Sequence, residues 1–226
     1  MPMEVSTKDC SSIGDAELAD IADFAIARGT GFDLGFLSKQ RDEWVLCTEV
    51  RRDGQVVGFA LYTLERIGGT PCILIGIGAT QEGPDERMLL NEILAEQYRK
   101  ALLAFPDEDV LVGVRVPSYL GYHVFDGLED IVPRLDHKPS GEERAWARRL
   151  AKKFGVESKL DDRTSVVSSG GEVTGLFAYG DLNLGPQGDL APLFAGVDRS
   201  KFDSLVVFGW AMAEQLADGS LPPEDF

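Results

Sequence analysis

Along residues 43–80 the apolar positions come in β-branched and aromatic runs, "EWVLCTEVRRDGQVVGFALYTLERIGG" and "PCILIGIGAT", broken at Asp53-Gly54 and at Gly68-Gly69. Asp-Gly suits a tight type I′ hairpin, so this stretch predicts a three-stranded antiparallel meander. On either side the period becomes that of a helix. Over residues 13–31, Leu18, Ile21, Ala22, Ala25 and Ile26 share one stripe, Asp15 stands where a cap is wanted, and Gly29 or Gly31 ends the run. Residues 33–40 predict a short second helix. Over residues 84–105, Leu90, Ile93, Leu94, Ala101, Leu102 and Phe105 keep helical spacing, with Asp85 as N-cap and Pro106 as the stop. "DVLVGVRVP" then reads as a buried strand ending at Pro117. Strand, long helix and short strand make a βαβ unit over 71–117, with parallel strands and a right-handed crossover.

Beyond this unit the pattern loosens. Residues 118–128, "SYLGYHVFDGL", predict a short aromatic helix or turn, and 130–140 a loop. Ser140 and Glu143 have capping-box spacing at the head of a helix over 140–155, whose last turns are basic and which Gly155 ends. Residues 164–180 predict a hairpin around Gly170-Gly171, and 181–198 a long loop punctuated by Gly and Pro. Residues 204–219 fit either a strand leading into a helix or one helix throughout. The segment after 156 is too apolar for a tail and is expected to extend the first sheet. Phe194, Phe202 and Trp210 suit a homodimer interface or a pocket equally. The organisation expected is a core over 1–135 with a helix-and-strand extension, 136–226, packed on the same domain.

Composition narrows the function classes. With 226 residues, 44% of them hydrophobic and 27% charged, the chain can bury a core without disulfide or metal staples. A net charge of −16 disfavours nucleic acid and anionic membranes as partners. Cys10, Cys47 and Cys72 form no CxxC pair, the N-terminus has no basic-then-apolar leader pattern, and no apolar run is long enough to span a bilayer. The expectation is a cytoplasmic protein with reduced thiols.

The order of elements and the region 71–128 resemble the GNAT superfamily of N-acetyltransferases, over roughly residues 13–130. The fold class this implies is α/β (α+β): a mixed, mostly antiparallel sheet with the βαβ unit at 71–117, helices on both faces and a C-terminal extension. The resemblance implies an acyl-CoA-dependent N-acyltransferase that uses acetyl-CoA or another acyl-CoA to modify a small amine. In that family the strand corresponding to 71–80 pairs with the pantetheine amides. Here Gly76 and Gly78 lie two apart, which puts them on one side of the strand. With Ile77 and Ala79 they would offer a flat backbone floor. Gln81 stands where the family often begins its pyrophosphate loop, the first turn of the next helix supplies free amides, and Arg87 can reach a phosphate. The loop "QEGPDERM" departs from the family pattern. Its single glycine, Gly83, comes one position early, Pro84 lacks an amide proton, and Glu82, Asp85 and Glu86 repel an anion. A second reading stays open: a non-catalytic GNAT-like module that binds a protein or a small ligand and has lost its CoA site.

Acetyl transfer to an amine needs a base for the ammonium and an acid for the leaving thiolate. The family commonly takes the acid from a Tyr on the short helix after the parallel strand. That position falls on Phe125 here; Tyr122, one turn away, or Tyr119, two turns away, can substitute, Tyr122 being preferred, with His123 beside it. Glu49, on the first meander strand, and Glu65, near the end of the second, are the candidate bases, with Glu49 preferred. Arg144, Arg148, Arg149, Lys152 and Lys153 make a basic helix face, either an anion surface or a solvated face complementing its own dipole. GxGxxG and GxxxxGK[ST] are both absent, which argues against other nucleotide folds.

Overall fold

The computed structural model describes residues 3–182 and 187–223. The chain opens with a half-exposed strand of little apolar content that the sequence did not predict, β1 (Met3–Asp9), followed by helices α1 (Asp15–Ala27) and α2 (Leu34–Glu43). The expected meander follows as β2 (Leu46–Arg52), β3 (Gln55–Ile67) and β4 (Thr70–Thr80). Helix α3 (Glu86–Ala104) then crosses to β5 (Val110–Val116), which pairs parallel to β4 from Cys72↔Leu111 to Ile75↔Val114. The βαβ unit is therefore present as the sequence predicted. A 3-10 turn over Tyr119–Phe125 leads to β6 (Glu129–Val132) and α4 (Gly141–Lys153). The remaining elements are β7 (Leu160–Asp161), β8 (Val166–Val167), β9 (Phe177–Ala178), β10 (Ser204–Ala211) and α5 (Ala213–Asp218).

All ten strands share one sheet in the order β1-β2-β3-β4-β5-β10-β8-β7, with β6 on β10 and β9 on β4. Among the described residues only β4 with β5 and β4 with β9 are parallel; the other pairs run antiparallel. Helix α3 covers one face, where Leu90, Ile93 and Leu94 meet Ile73, Ile75, Val112 and Val114. Helices α1 and α2 cover the other face through Leu18, Ile21 and Leu37 against Phe59, Leu61 and Ile77. Helix α4 lies on that second face too, its Leu150 packed on Leu74, Leu111 and Val206 and filling the space over Gly113.

Several local expectations need correction. Gly14, not Asp15, is the N-cap of α1, and Asp85 holds the cap position of α3 without capping it because its carboxylate pairs with Arg52 at 3.0 Å. The capping box at Ser140 and Glu143 forms as expected. Residues 204–219 resolve into a strand and a separate helix. The hairpin around Gly170-Gly171 does not form. A turn is there, but its two arms part, β8 joining β7 and β10 while β9 joins β4. In the predicted loop 181–198, Ala191–Phe194 makes a 3-10 turn, and residues 183–186 lie outside the described ones.

Candidate functional site

The site expected between β4 and β5 depends on what β4 does after Ile75. There the register on β3 slips: Tyr62 pairs with Ile75 but Leu61 with Ile77, which makes Gly76 an extra, bulged residue. A bulge shifts the in-out alternation by one. Ile73 and Ile75 face α3, whereas Ile77 and Ala79 face α1 and α2. Gly76 and Gly78 therefore do not share a face, contrary to the two-residue spacing. A Cβ on Gly76 would strike the Trp44 ring at 1.9 Å, and one on Gly78 would meet the carbonyl of Phe59 at 2.5 Å and the Phe177 ring at 2.7 Å. Both glycines are required by close approach.

The same stretch is where β4 separates from β5, and the gap is filled by the chain itself. Gly78 and Ala79 pair in parallel with Phe177 and Ala178 of β9, and the Gly78 N–H donates to the Leu176 carbonyl at 3.1 Å. Arg115, fully buried on β5, fixes the entry to this strap. Its guanidinium donates to the Gly175 carbonyl at 2.8 Å, to Thr174 Oγ1 at 3.0 Å and to Ser204 Oγ at 2.8 Å. Burial pulls the Arg115 pKa down to about 10, and Asp203 offsets part of that.

At the N-terminus of α3 one acid, Glu86, turns inward, while Glu82 and Asp85 pair with arginines at the surface. Glu86, nearly buried, accepts from Thr80 Oγ1 and from the Gly180 N–H, both at 2.9 Å, with Arg28 Nη2 3.7 Å away. Burial raises its pKa, against these donors. Glu82 pairs with Arg28 at 2.6 Å, and Arg28 also donates to the Gly180 carbonyl. Gln81 and Gly83 are exposed, and the Gln81 N–H bonds to Val57. Arg87 is turned from any phosphate position to Asp126, at 2.5 Å.

The proposed catalytic groups are not brought together. The Tyr122 hydroxyl donates to the Pro133 carbonyl at 2.8 Å, its ring stands against Phe125 and Phe194, and burial pushes its pKa up. His123 Nδ1 lies 2.8 Å from Asp126, and its ring packs edge-on against Tyr179 of the strap. Burial disfavours ionised Asp126, but His123 and Arg87 hold its carboxyl below the usual range. Glu49 sits two strands from Ala79, across the row Glu49–Phe59–Ala79, about 10 Å at the usual strand spacing. It is buried under α1, paired with Arg51, and its pKa is raised by burial and by the neighbouring Glu17. Of the basic face on α4, Arg148 pairs with Asp162, Lys153 with Glu65, and Arg149 stacks on Trp146. These contacts fit the structural reading of that face. Phe194 is buried against Tyr122, and Trp210 meets Trp146.

Acetyl-CoA can be tested against this geometry. Pantetheine needs the free edge of β4, and a pyrophosphate needs open amides at the head of α3. Here the first is bonded to residues 176–178 and the second is bordered by Glu82, Asp85 and Glu86. The residues present do not fit the cofactor in this conformation. The sequence reading missed Arg28, Arg115, Tyr179 and the strap. The only signal available was "TGLFAYG", a short β-prone run held between Gly175 and Gly180.

The architecture is an α+β fold: a mixed, mostly antiparallel sheet whose parallel pair is joined by α3 and parts at a bulge. Among solved structures, the chain is similar to the acetyltransferase of GNAT family from Streptococcus pneumoniae. The identity is 13% and the TM-score 0.35, over 59% of this chain and 91% of that one. No protein-family model matches the sequence, and no curated protein does. Among the described residues no helix is long and apolar enough to cross a membrane.

Proposed function

We propose that this chain is a binding module built on an N-acetyltransferase-like fold, with its acyl-CoA cleft filled by residues 174–180. The observation that carries this reading is the pairing of Gly78 and Ala79 with Phe177 and Ala178. A transferase must leave that backbone edge to its cofactor; here it belongs to the core, since Phe177 and Ala178 are fully buried. The test is thermal denaturation with and without acetyl-CoA. A ligand at 100 times its Kd that binds only the folded state adds ~2.7 kcal/mol, a shift of several degrees. The expected result is no shift at millimolar acetyl-CoA; a saturable shift overturns the reading.

One observation favours a second reading, an acyl-CoA-dependent N-acyltransferase acting on a small amine. The strap is held to β4 by two residue pairs only, so its departure would bare Gly78 and Ala79 to a peptide-like ligand. His123, with Asp126 behind it and Tyr179 on the strap, would then stand at the cleft mouth. Release of free thiol from acetyl-CoA in the presence of amines supports this second reading, and its absence supports the first.

A further inference from the structure

Apart from the β4/β5 cleft, a cavity of about 540 Å³ opens at the β7–β8 end of the sheet. Its apolar part is formed by Val166 of β8, Leu193 and Pro133, and its cationic part by Arg134 and Arg163, with His137 beside them. The wall is braced from behind, because Tyr122 holds the Pro133 carbonyl and packs on Phe194, next to Leu193.

Of the two acids at this cavity, Glu143 is held by several donors and Asp161 by one backbone N–H. Glu143 accepts from the Ser140 N–H at 2.6 Å, lies 2.9 Å from His137 Nε2 and 3.4 Å from Arg134 Nη1. Asp161 Oδ1 accepts the backbone N–H of Arg163 at 3.0 Å. Among the described residues the Arg163 guanidinium makes no hydrogen bond or ion pair, and Arg134 uses Nη1 alone. Elsewhere in this chain of net charge −16, Arg28, Arg52, Arg66 and Arg148 all hold carboxylates. Here the Arg163 guanidinium and the second amino group of Arg134 present open N–H edges beside an apolar floor.

We propose that this cavity binds a small organic monocarboxylate with an apolar body, its carboxylate on Arg163 and Arg134 and its body on Val166, Leu193 and Pro133. A guanidinium fork matches a carboxylate in two parallel hydrogen bonds, which a neutral amide cannot return. The apolar floor rewards a hydrocarbon body and gives nothing to a bare inorganic anion. The volume lies within the range of small-molecule sites. The site is separate from the β4/β5 cleft, so the inference stands under either reading of that cleft.

The test is a titration of methyl-labelled protein with benzoate and with 4-methylpentanoate, against benzamide and inorganic phosphate at matched ionic strength. Both carboxylates are expected to bind saturably and to shift the Leu193 and Val166 methyl signals, with benzamide and phosphate weaker by about tenfold or more. Arg163→Gln, on an exposed turn, is expected to weaken benzoate about tenfold and to leave the thermal midpoint in place. Four results would overturn the proposal: benzamide or phosphate binding as well as benzoate, full affinity in Arg163→Gln, shifts away from Leu193 and Val166, or no carboxylate binding by about 10 mM.

Discussion

The backbone N–H of Gly78 donates to the carbonyl of Leu176, 3.1 Å away and nearly a hundred positions on in the chain. The contact follows from the divergence of β4 and β5. Once β5 leaves at Ile75, the amides and carbonyls of the following residues stand in a buried gap, and each would cost about 1–3 kcal/mol if left without a partner. Residues 176–178 supply those partners from within the chain.

Gly78 has no space for a side chain. A Cβ there would sit 2.5 Å from the Phe59 carbonyl and 2.7 Å from the Phe177 ring. Gly78→Val is expected to lower stability by about 1–3 kcal/mol, read as a fall in the urea midpoint. An unchanged midpoint would mean that Phe177 does not lie over Gly78 in solution.

Arg115 ties three groups together: the buried Ser204 hydroxyl and the half-buried Thr174 hydroxyl and Gly175 carbonyl. Arg115→Ala is expected to cost about 2–4 kcal/mol through the orphaned acceptors and the vacated volume. Hydrogen exchange should rise first at the amides of residues 176–178. Arg115→Lys should recover only part of the loss, since an ammonium cannot reach all three partners in the same planar fork. Exchange that rises evenly across the sheet would show that Arg115 supports the fold at large rather than the strap.

Burial, and then Glu17, raise the Glu49 pKa above its ordinary value of 4.5. Between those two values the folded state holds a proton that the unfolded state has released. Stability is therefore greatest at low pH with respect to this group and falls as pH rises through the folded pKa. Glu49→Gln should remove that slope. Stability curves of the two proteins that stay parallel from pH 4 to 8 would count against the raised pKa.

Glu143 gives the opposite sign. Although burial works against ionisation, hydrogen bonds from Ser140 and His137 bring its pKa down from 4.5 to about 2. Its contribution is present above pH 4.5 and is lost as pH falls toward about 2. Glu143→Gln should blunt this acid sensitivity and weaken the start of α4, measured by helical circular dichroism during acid titration. An unaltered acid transition would show that the capping box is not what fails there.

The order β1-α1-α2-β2-β3-β4-α3-β5 was largely readable because each element carries its own periodic signal. Asp53-Gly54 sets the turn between β2 and β3, and Leu90, Ile93 and Leu94 set the buried side of α3. β1 escaped notice because "MEVSTKD" is a half-exposed edge strand with little apolar content. The bulge at Gly76 was not legible either, since "LIGIGAT" keeps a plausible alternation whether or not one residue is looped out. That one residue reverses which side Ile77, Gly78 and Ala79 present relative to Gly76, and with it the floor expected for pantetheine.

By itself, the sequence determined the meander, the βαβ unit, the capping box of α4 and a core sheet closed on both faces, because local propensity and periodicity act over a few neighbouring residues. Tertiary structure alone decided what fills the gap between β4 and β5. A strand of two residues has no periodicity to read, and its choice of β4 over a local hairpin is made by backbone groups a hundred positions away that are buried and need partners.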